Sequence, residues 1–155
     1  MSEHGKEVDL YCLDKNNYKG DSLKIHSDFN WNEECQTHRA LSLILYFTPD
    51  WDEAWHGDLQ FWDFDKTKKI VSYPPKMGNV VVWKYHKRGF HGHPNPIDCP
   101  EDKFRVGFRT FYYISDSKHD WRDPPHKSLY WYDKEKNQPY HLENEYGHGK
   151  LKDDE

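Results

Sequence analysis

The hydrophobic pattern along this chain is that of short strands separated by polar turns, with almost no helical periodicity. Val8 to Leu13 is a first β-like run, which ends at the polar turn Asp14-Lys15-Asn16-Asn17. Leu23 to His26 is a second. A polar loop from Phe29 to His38 leads into Leu41-Ser42-Leu43-Ile44-Leu45-Tyr46-Phe47. That run is close to continuously apolar, as expected of a strand covered on both faces. Asp58–Asp63 and Ile70–Tyr73 follow, the latter stopped by Pro74-Pro75. Asn79–Trp83 is the sixth run, Gly89–His93 a short seventh, and Phe104–Ile114 a long eighth. Eight short strands with turn signals between them predict an all-β sandwich or barrel.

After Ser115 the character changes. The segment 115–155 carries Trp121, Tyr130, Trp131, Tyr132, Tyr140 and Tyr146 between charged residues, with Ser128–Tyr132 as one more strand candidate. The expected organisation is a core over residues 1–114 and an aromatic C-terminal extension over 115–155. An extension so rich in rings is expected to pack on the core or on a partner subunit.

Composition sharpens this picture in one respect. Mean hydropathy is low, −1.17, a value that disordered chains also reach. Seven Trp, eleven Tyr and eight Phe are foreign to disorder and supply a core that has few aliphatic residues. A net charge of −5 with no basic stripe argues against a nucleic-acid partner. Cys12, Cys35 and Cys99 are an odd count without paired spacing, which reads as reduced thiols in a cytosolic protein. No apolar leader opens the chain and no run is long enough to cross a membrane. The expectation is therefore a soluble, cytoplasmic protein with no membrane partner.

The chemistry concentrates at the end of the second run, His26-Ser27-Asp28. Residues i and i+2 of a strand share a face, so an imidazole and a carboxylate can reach one metal ion. A rival stands at His56-Gly57-Asp58. A ferrous oxygenase site needs two imidazoles and one carboxylate on one side of the ion, with the remaining positions open. In an eight-stranded double-stranded β-helix the second His comes from strand seven, so four strands must intervene. His26 and Asp28 satisfy this count toward His91, with the runs near 41, 58, 70 and 79 between them. The rival does not, and reads as a corner in which Gly57 supplies backbone freedom. His93 is the alternative to His91, but it precedes a proline and is expected to begin the exit loop.

Taken in order, residues 8–114 resemble the 2-oxoglutarate- and Fe(II)-dependent oxygenases, in particular their prolyl-hydroxylase branch. The resemblance is carried by Tyr18-Lys19-Gly20-Asp21-Ser22-Leu23 before His26-Ser27-Asp28, by Leu43–Phe47 running into Asp50-Trp51, and by Gly57-Asp58-Leu59. Gly78–Trp83, Phe90-His91-Gly92 and Arg105 complete it. It implies an all-β double-stranded β-helix (jelly-roll or cupin-like) with few or no supporting helices, in which His26, Asp28 and His91 bind Fe(II) and Arg105, assisted by the Tyr46 hydroxyl, holds the distal carboxylate of 2-oxoglutarate. It also implies hydroxylation of a C–H bond with O2 as oxidant and succinate and CO2 as co-products, with a prolyl residue of a protein or peptide as the expected substrate. A carboxylate at position 28 favours hydroxylation, because related halogenases have a small residue there. A guanidinium suits the task given to Arg105, since a buried carboxylate needs charge and a hydrogen-bonding fork. Ser42, Ile44 and Tyr46 are expected to point inward together. Arg109 lies on the Arg105 face about 13 Å further along, as a substrate anchor or a route to solvent. Trp31 is a candidate lid and Tyr11 a weaker pocket-lining candidate.

The sequence also departs from that family. The usual double glycine before the fourth strand is His56-Gly57, and the interval from His91 to Arg105 is long and proline-rich. The helices that normally cover the larger sheet are missing. Leu41, Leu43, Leu45 and Phe47 then alternate outward with Val106, Phe108 and Tyr112, a face too apolar for a soluble monomer. The segment Trp121–Tyr140, or a second subunit in a homodimer, is expected to cover it. Two other readings compete: a non-catalytic jelly-roll module of carbohydrate-binding type, or a cupin-type metalloenzyme without 2-oxoglutarate. The module has no need for His26, Asp28, His91 and Arg105 in register, and the cupin-type enzyme would recruit more histidines and lack Arg105 with Tyr46. An oxygenase acting on a free amino acid or another small molecule is also open.

Overall fold

A computed structural model of the protein describes residues 13–115, 125–133 and 138–140. Eleven strands and one short 3-10 turn are present among them. They are β1 (Leu13–Asn17), β2 (Leu23–His26), β3 (Trp31–Asn32), β4 (Thr37–Tyr46), β5 (Leu59–Trp62), β6 (Lys69–Tyr73), β7 (Val80–Lys84), β8 (His91–His93), β9 (Arg105–Ile114), β10 (Trp131–Asp133) and β11 (Gln138–Tyr140), with the turn at Glu53–Trp55. No described helix is long and apolar enough to cross a membrane.

Nine of the strands form two facing antiparallel sheets, and β10 and β11 pair as a separate two-stranded one. The larger runs β1-β9-β4, with both β3 and β7 on the far side of β4; the smaller runs β2-β8-β5-β6. Each sheet thus draws strands from both halves of the chain, as a double-stranded β-helix requires. Ile44 and Tyr46 of β4 and Val81 of β7 pack against Leu59 of β5, with Phe61 and Trp83 alongside. The expected inward set on the third long run is observed: Ser42, Ile44 and Tyr46 are all buried. Their outward neighbours are more open, with Leu41, Phe47, Val80 and Val82 exposed, and Val80 and Val82 face Leu45 and Leu43 across the β4–β7 pair.

Three boundaries differ from the sequence reading. The polar stretch Asp14–Asn17, expected to be a turn, is β1, paired residue for residue with β9 from Leu13 opposite Arg109 to Asn17 opposite Arg105. Backbone pairing to a well-anchored neighbour overrides a turn-like composition there. Val8–Cys12, and Tyr11 with them, lie outside the described residues. The loop 29–38 contains β3, which closes a hairpin onto an earlier start of β4, Trp31 opposite His38. Near the C-terminus, Ser128–Tyr132 is not one strand. Leu129 forms an isolated bridge to Ser27, while Trp131–Asp133 pairs with Gln138–Tyr140.

Residues 126–130 of the extension pack at the end of β2. Ser27 and Leu129 exchange both backbone hydrogen bonds, at 2.7 and 2.8 Å. The His126 amide donates to Asn30 Oδ1 at 2.8 Å, and Leu129 is fully buried. Of the segment expected to cover the larger sheet, residues 121–124 and 134–137 lie outside the described residues.

Candidate metal centre and its neighbourhood

The neighbouring strands β2 and β8 bring the first two candidate ligands together. They pair antiparallel with His26 opposite His91 and Leu23 opposite His93, a bulge absorbing the extra residue between. His91 therefore sits beside His26, whereas His93 is carried to the other end of β2. Gly92 permits this approach: a Cβ there would stand 2.7 Å from the Leu23 carbonyl oxygen and 2.8 Å from that of Lys24.

Side-chain nitrogens of His26 and His91 and a carboxylate oxygen of Asp28 all lie within 4.8 Å of one another. His26 Nε2 is 3.6 Å from Asp28 Oδ1, and His91 Nε2 is 3.5 Å from Asp28 Oδ2. The other ring nitrogens are already committed. His26 Nδ1 lies 2.8 Å from the Lys24 carbonyl oxygen and His91 Nδ1 2.8 Å from that of Gly89. Each carbonyl accepts a proton from its Nδ1, so the lone pair of each Nε2 is left facing Asp28. This is the outer-shell arrangement that orients imidazole ligands.

Electrostatics at the cluster suit a cation. Burial, the largest influence, pushes the His91 pKa down to about 4 despite the nearby Asp28, so the ring is neutral and able to donate its lone pair. Trp83 and Phe61 stand against that ring, with centroids 5.0 and 5.7 Å away. Burial by itself would raise the Asp28 pKa, but Arg39 and the two histidines outweigh it and hold the carboxyl well below its usual range. Asp28 is thus an anion in a partly desolvated site. Two imidazoles and one carboxylate are a donor set that fits ferrous iron.

One guanidinium at this site was not anticipated from sequence. Arg39 is fully buried, and its Nη1 lies 2.7 Å from Asp28 Oδ2. The group is stacked between Phe29 and Phe111, 3.8 and 3.9 Å from the ring centroids. Ser42 Oγ donates to the same carboxylate oxygen at 3.3 Å. Sequence marked Ser42 as inward, but Arg39 stood between the polar loop Phe29–His38 and the apolar run from Leu41, with nothing to separate it from a solvated residue.

The second predicted pair also meets. β4 and β9 are antiparallel, with Tyr46 opposite Gly107, which brings Arg105 Nη2 to donate to Tyr46 Oη at 2.9 Å. Arg105 Nη1 donates to Asn17 Oδ1 at 2.9 Å. Both Tyr46 and Arg105 are buried, and Arg105 Nε has no hydrogen-bond partner among the described residues. A buried cation with an unanswered donor is the cradle that a carboxylate would fill.

The remaining candidates separate. Trp31 packs edge-on to His38 across its hairpin, centroids 4.7 Å apart, and is not part of the ligand cluster. Arg109 sits on the inward file of β9, opposite buried Ile44. His56, the rival to His26, is exposed with φ of 62° ahead of Gly57 at 76°, a corner rather than a ligand position. Tyr130, given no role from sequence, stacks on His26 with centroids 5.3 Å apart and planes at 30°.

Comparison with known proteins gives two likenesses. The model of the 2OG-Fe(II) oxygenase superfamily matches residues 13–113. Among solved structures, the chain is similar in fold to a prolyl-4-hydroxylase from Pseudomonas putida, with a TM-score of 0.50 and 17% identity, covering 75% of this chain and 55% of that one. No match is found among curated proteins.

Proposed function

Because the chain belongs to the 2OG-Fe(II) oxygenase superfamily, we propose that it is an Fe(II)- and 2-oxoglutarate-dependent hydroxylase that works through His26, Asp28 and His91. The observation that carries this reading is the convergence of those three side chains within 4.8 Å, each imidazole having its Nδ1 engaged by a backbone carbonyl. A structural histidine pair has no need of both lone pairs facing one carboxylate.

In this reading the three side chains hold iron, and Arg105 with Tyr46 holds the distal carboxylate of 2-oxoglutarate. The iron, when bound, supplies the redox chemistry that couples decarboxylation of 2-oxoglutarate, to succinate and CO2, to hydroxylation of a C–H bond by O2. The chain's own residues do the rest. Lys24 and Gly89 carbonyls fix the imidazole tautomers, and Arg39 and Ser42 fix the carboxylate. Tyr46 orients the Arg105 fork by accepting one of its protons. Phe61 and Trp83 exclude water on the β5–β7 side.

A prolyl residue of a peptide is the first substrate to test, on the resemblance to the prolyl-hydroxylase branch. The core is assigned to residues 1–114 and the extension to 115–155. The deciding experiment is anaerobic titration of the Fe(II)-loaded protein with 2-oxoglutarate, followed by succinate release on admitting O2. Metal-dependent binding that Asp28→Ala abolishes is the expected result. Equal 2-oxoglutarate binding with and without metal, or by wild type and Asp28→Ala, would overturn the proposal.

A further inference from the structure

The inward file of β9 carries Arg105, then Gly107, then Arg109, and only the first of the two arginines has a role so far. Arg109 stands opposite Ile44, whose neighbours on β4 are Tyr46 opposite Gly107 and Ser42 opposite Phe111. Tyr46 marks the level of the Arg105 clamp, and Ser42 marks the level of the metal ligands through its bond to Asp28. Arg109 therefore projects into the barrel between the 2-oxoglutarate clamp and the metal centre. It is half-buried and makes no hydrogen bond or ion pair to any described residue.

The other two cavity guanidiniums are occupied. Arg39 is paired with Asp28, and Arg105, held by Asn17 and Tyr46, is the residue already assigned to the distal carboxylate of 2-oxoglutarate. The charged and phenolic groups that act on Arg109 are Asp28, Arg105, Arg39 and Tyr46, and burial, the largest influence, lowers its pKa. Asp28 is the one acid among them, and it is already shared. Asp58, the other acid near this end of the barrel, acts on Tyr46. Ferrous iron and the 2-oxoglutarate dianion cancel each other in charge, so three guanidiniums against two carboxylates leave one positive charge unanswered. A largely desolvated cation of this kind needs an anion to complete it, and a guanidinium fork favours a carboxylate.

We propose that Arg109 is a second carboxylate-binding residue of the cavity, and that the molecule hydroxylated here carries a carboxylate held by it close to the reacting C–H bond. The inference rests on the hydroxylase reading above and deepens it. It places the substrate among carboxylic acids, which includes free amino acids and peptides presenting a C-terminal or side-chain carboxylate next to the target carbon. The C1 carboxylate of 2-oxoglutarate is the other source of the same chemistry, but on chelating the metal it is neutralised there.

The test uses Co(II) in place of iron in the full chain, saturated with 2-oxoglutarate, and reads the visible d–d absorption as propionate is added. Wild type is expected to show a saturable spectral change, propionamide none, and Arg109→Gln a half-saturation at least tenfold higher. Arg109→Lys, which retains the charge without the fork, is expected to fall between. The 2-oxoglutarate affinity of Arg109→Gln should stay within twofold of wild type, which also shows that the site is intact. Equal propionate response in wild type and Arg109→Gln, no response in wild type, or a tenfold loss of 2-oxoglutarate affinity in the variant each overturns the assignment. Failure of the wild-type protein to bind Co(II) and 2-oxoglutarate at all overturns the hydroxylase reading instead, and this inference with it.

Discussion

Arg39 and Asp28 form an ion pair 2.7 Å long, with the guanidinium fully buried and the carboxylate 15% exposed. The acid expected to hold the metal is therefore charged and oriented before any metal arrives. A pair of this kind contributes little net stability as a unit, but removing one member strands the other. Arg39→Met should destabilise the metal-free protein by about 3 kcal/mol. The double variant Arg39→Met/Asp28→Asn should lose clearly less than the sum of the single changes. Urea unfolding of the four proteins measures this coupling. Additive losses would mean that Arg39 acts only through its stacking on Phe29 and Phe111.

At the other end of the barrel, Tyr46 Oη accepts from Arg105 Nη2, so the two substitutions should differ in degree. Arg105→Gln removes the charge and should weaken 2-oxoglutarate binding at least a hundredfold, about 3 kcal/mol at the usual conversion. Tyr46→Phe removes one oriented hydrogen bond from a buried cation and should cost about tenfold. Titration of the Mn(II)-loaded protein with 2-oxoglutarate reads both. A Tyr46→Phe protein as defective as Arg105→Gln would mean that the tyrosine is an equal partner in holding the ligand.

Gly92 lies between the two candidate imidazole strands, where a Cβ would meet two backbone oxygens under 3.0 Å away. Backbone atoms of a paired strand cannot step aside as a side chain can. Gly92→Ala should push β8 off β2, lower stability by about 2 kcal/mol and weaken metal binding. Gly78→Ala has open space around it and serves as the comparison, with only the strain of a positive φ. Thermal unfolding and Co(II) titration of both separate a register effect from a general one.

How much of this was legible in the sequence depended on where each residue's determinants lie. The strands β2, β5, β6, β7, β8 and β9 followed from apolar runs between turns, because alternate burial writes itself into composition. His26, Asp28, His91, Arg105 and Tyr46 are brought together by strand order, which counting could supply. Arg39 was not legible: its partners Asp28, Phe29 and Phe111 come from two other segments, and its own neighbours Thr37 and His38 look like loop. Nor was β1, since Asp14–Asn17 has turn composition and is a strand through its pairing with β9. Leu129 and Tyr130 were seen as part of an aromatic extension. What no periodicity could give was their place along Ser27 and His26.

Leu129 makes that last placement testable. It is fully buried and bridges Ser27, the residue between two candidate ligands. Leu129→Ala should cost about 3 kcal/mol as a buried leucine deletion, and should also weaken Co(II) binding because the His26–Asp28 segment loses its lateral support. Tyr130→Ala, which removes the ring stacked on His26, should leave stability within about 1 kcal/mol. Unchanged metal affinity in Leu129→Ala would show that the bridge stabilises the fold without shaping the site.

Lys66 supplies the pH dependence. Its ammonium donates to the Tyr130 carbonyl and lies 5.2 Å from the centre of the Phe90 ring. Burial lowers its pKa from 10.5 to about 8. Between those values the unfolded chain holds a proton at this site that the folded protein has released. Stability should therefore rise as pH increases from about 8 toward 10.5, and the Lys66 contribution should be flat below pH 8, where both states are protonated. The lysine is only half enclosed, so the slope should be shallow. Chemical denaturation at intervals across this range, for wild type and Lys66→Met, isolates the effect as the difference in slope. Parallel curves for the two proteins would mean that Lys66 titrates in the fold as it does in water.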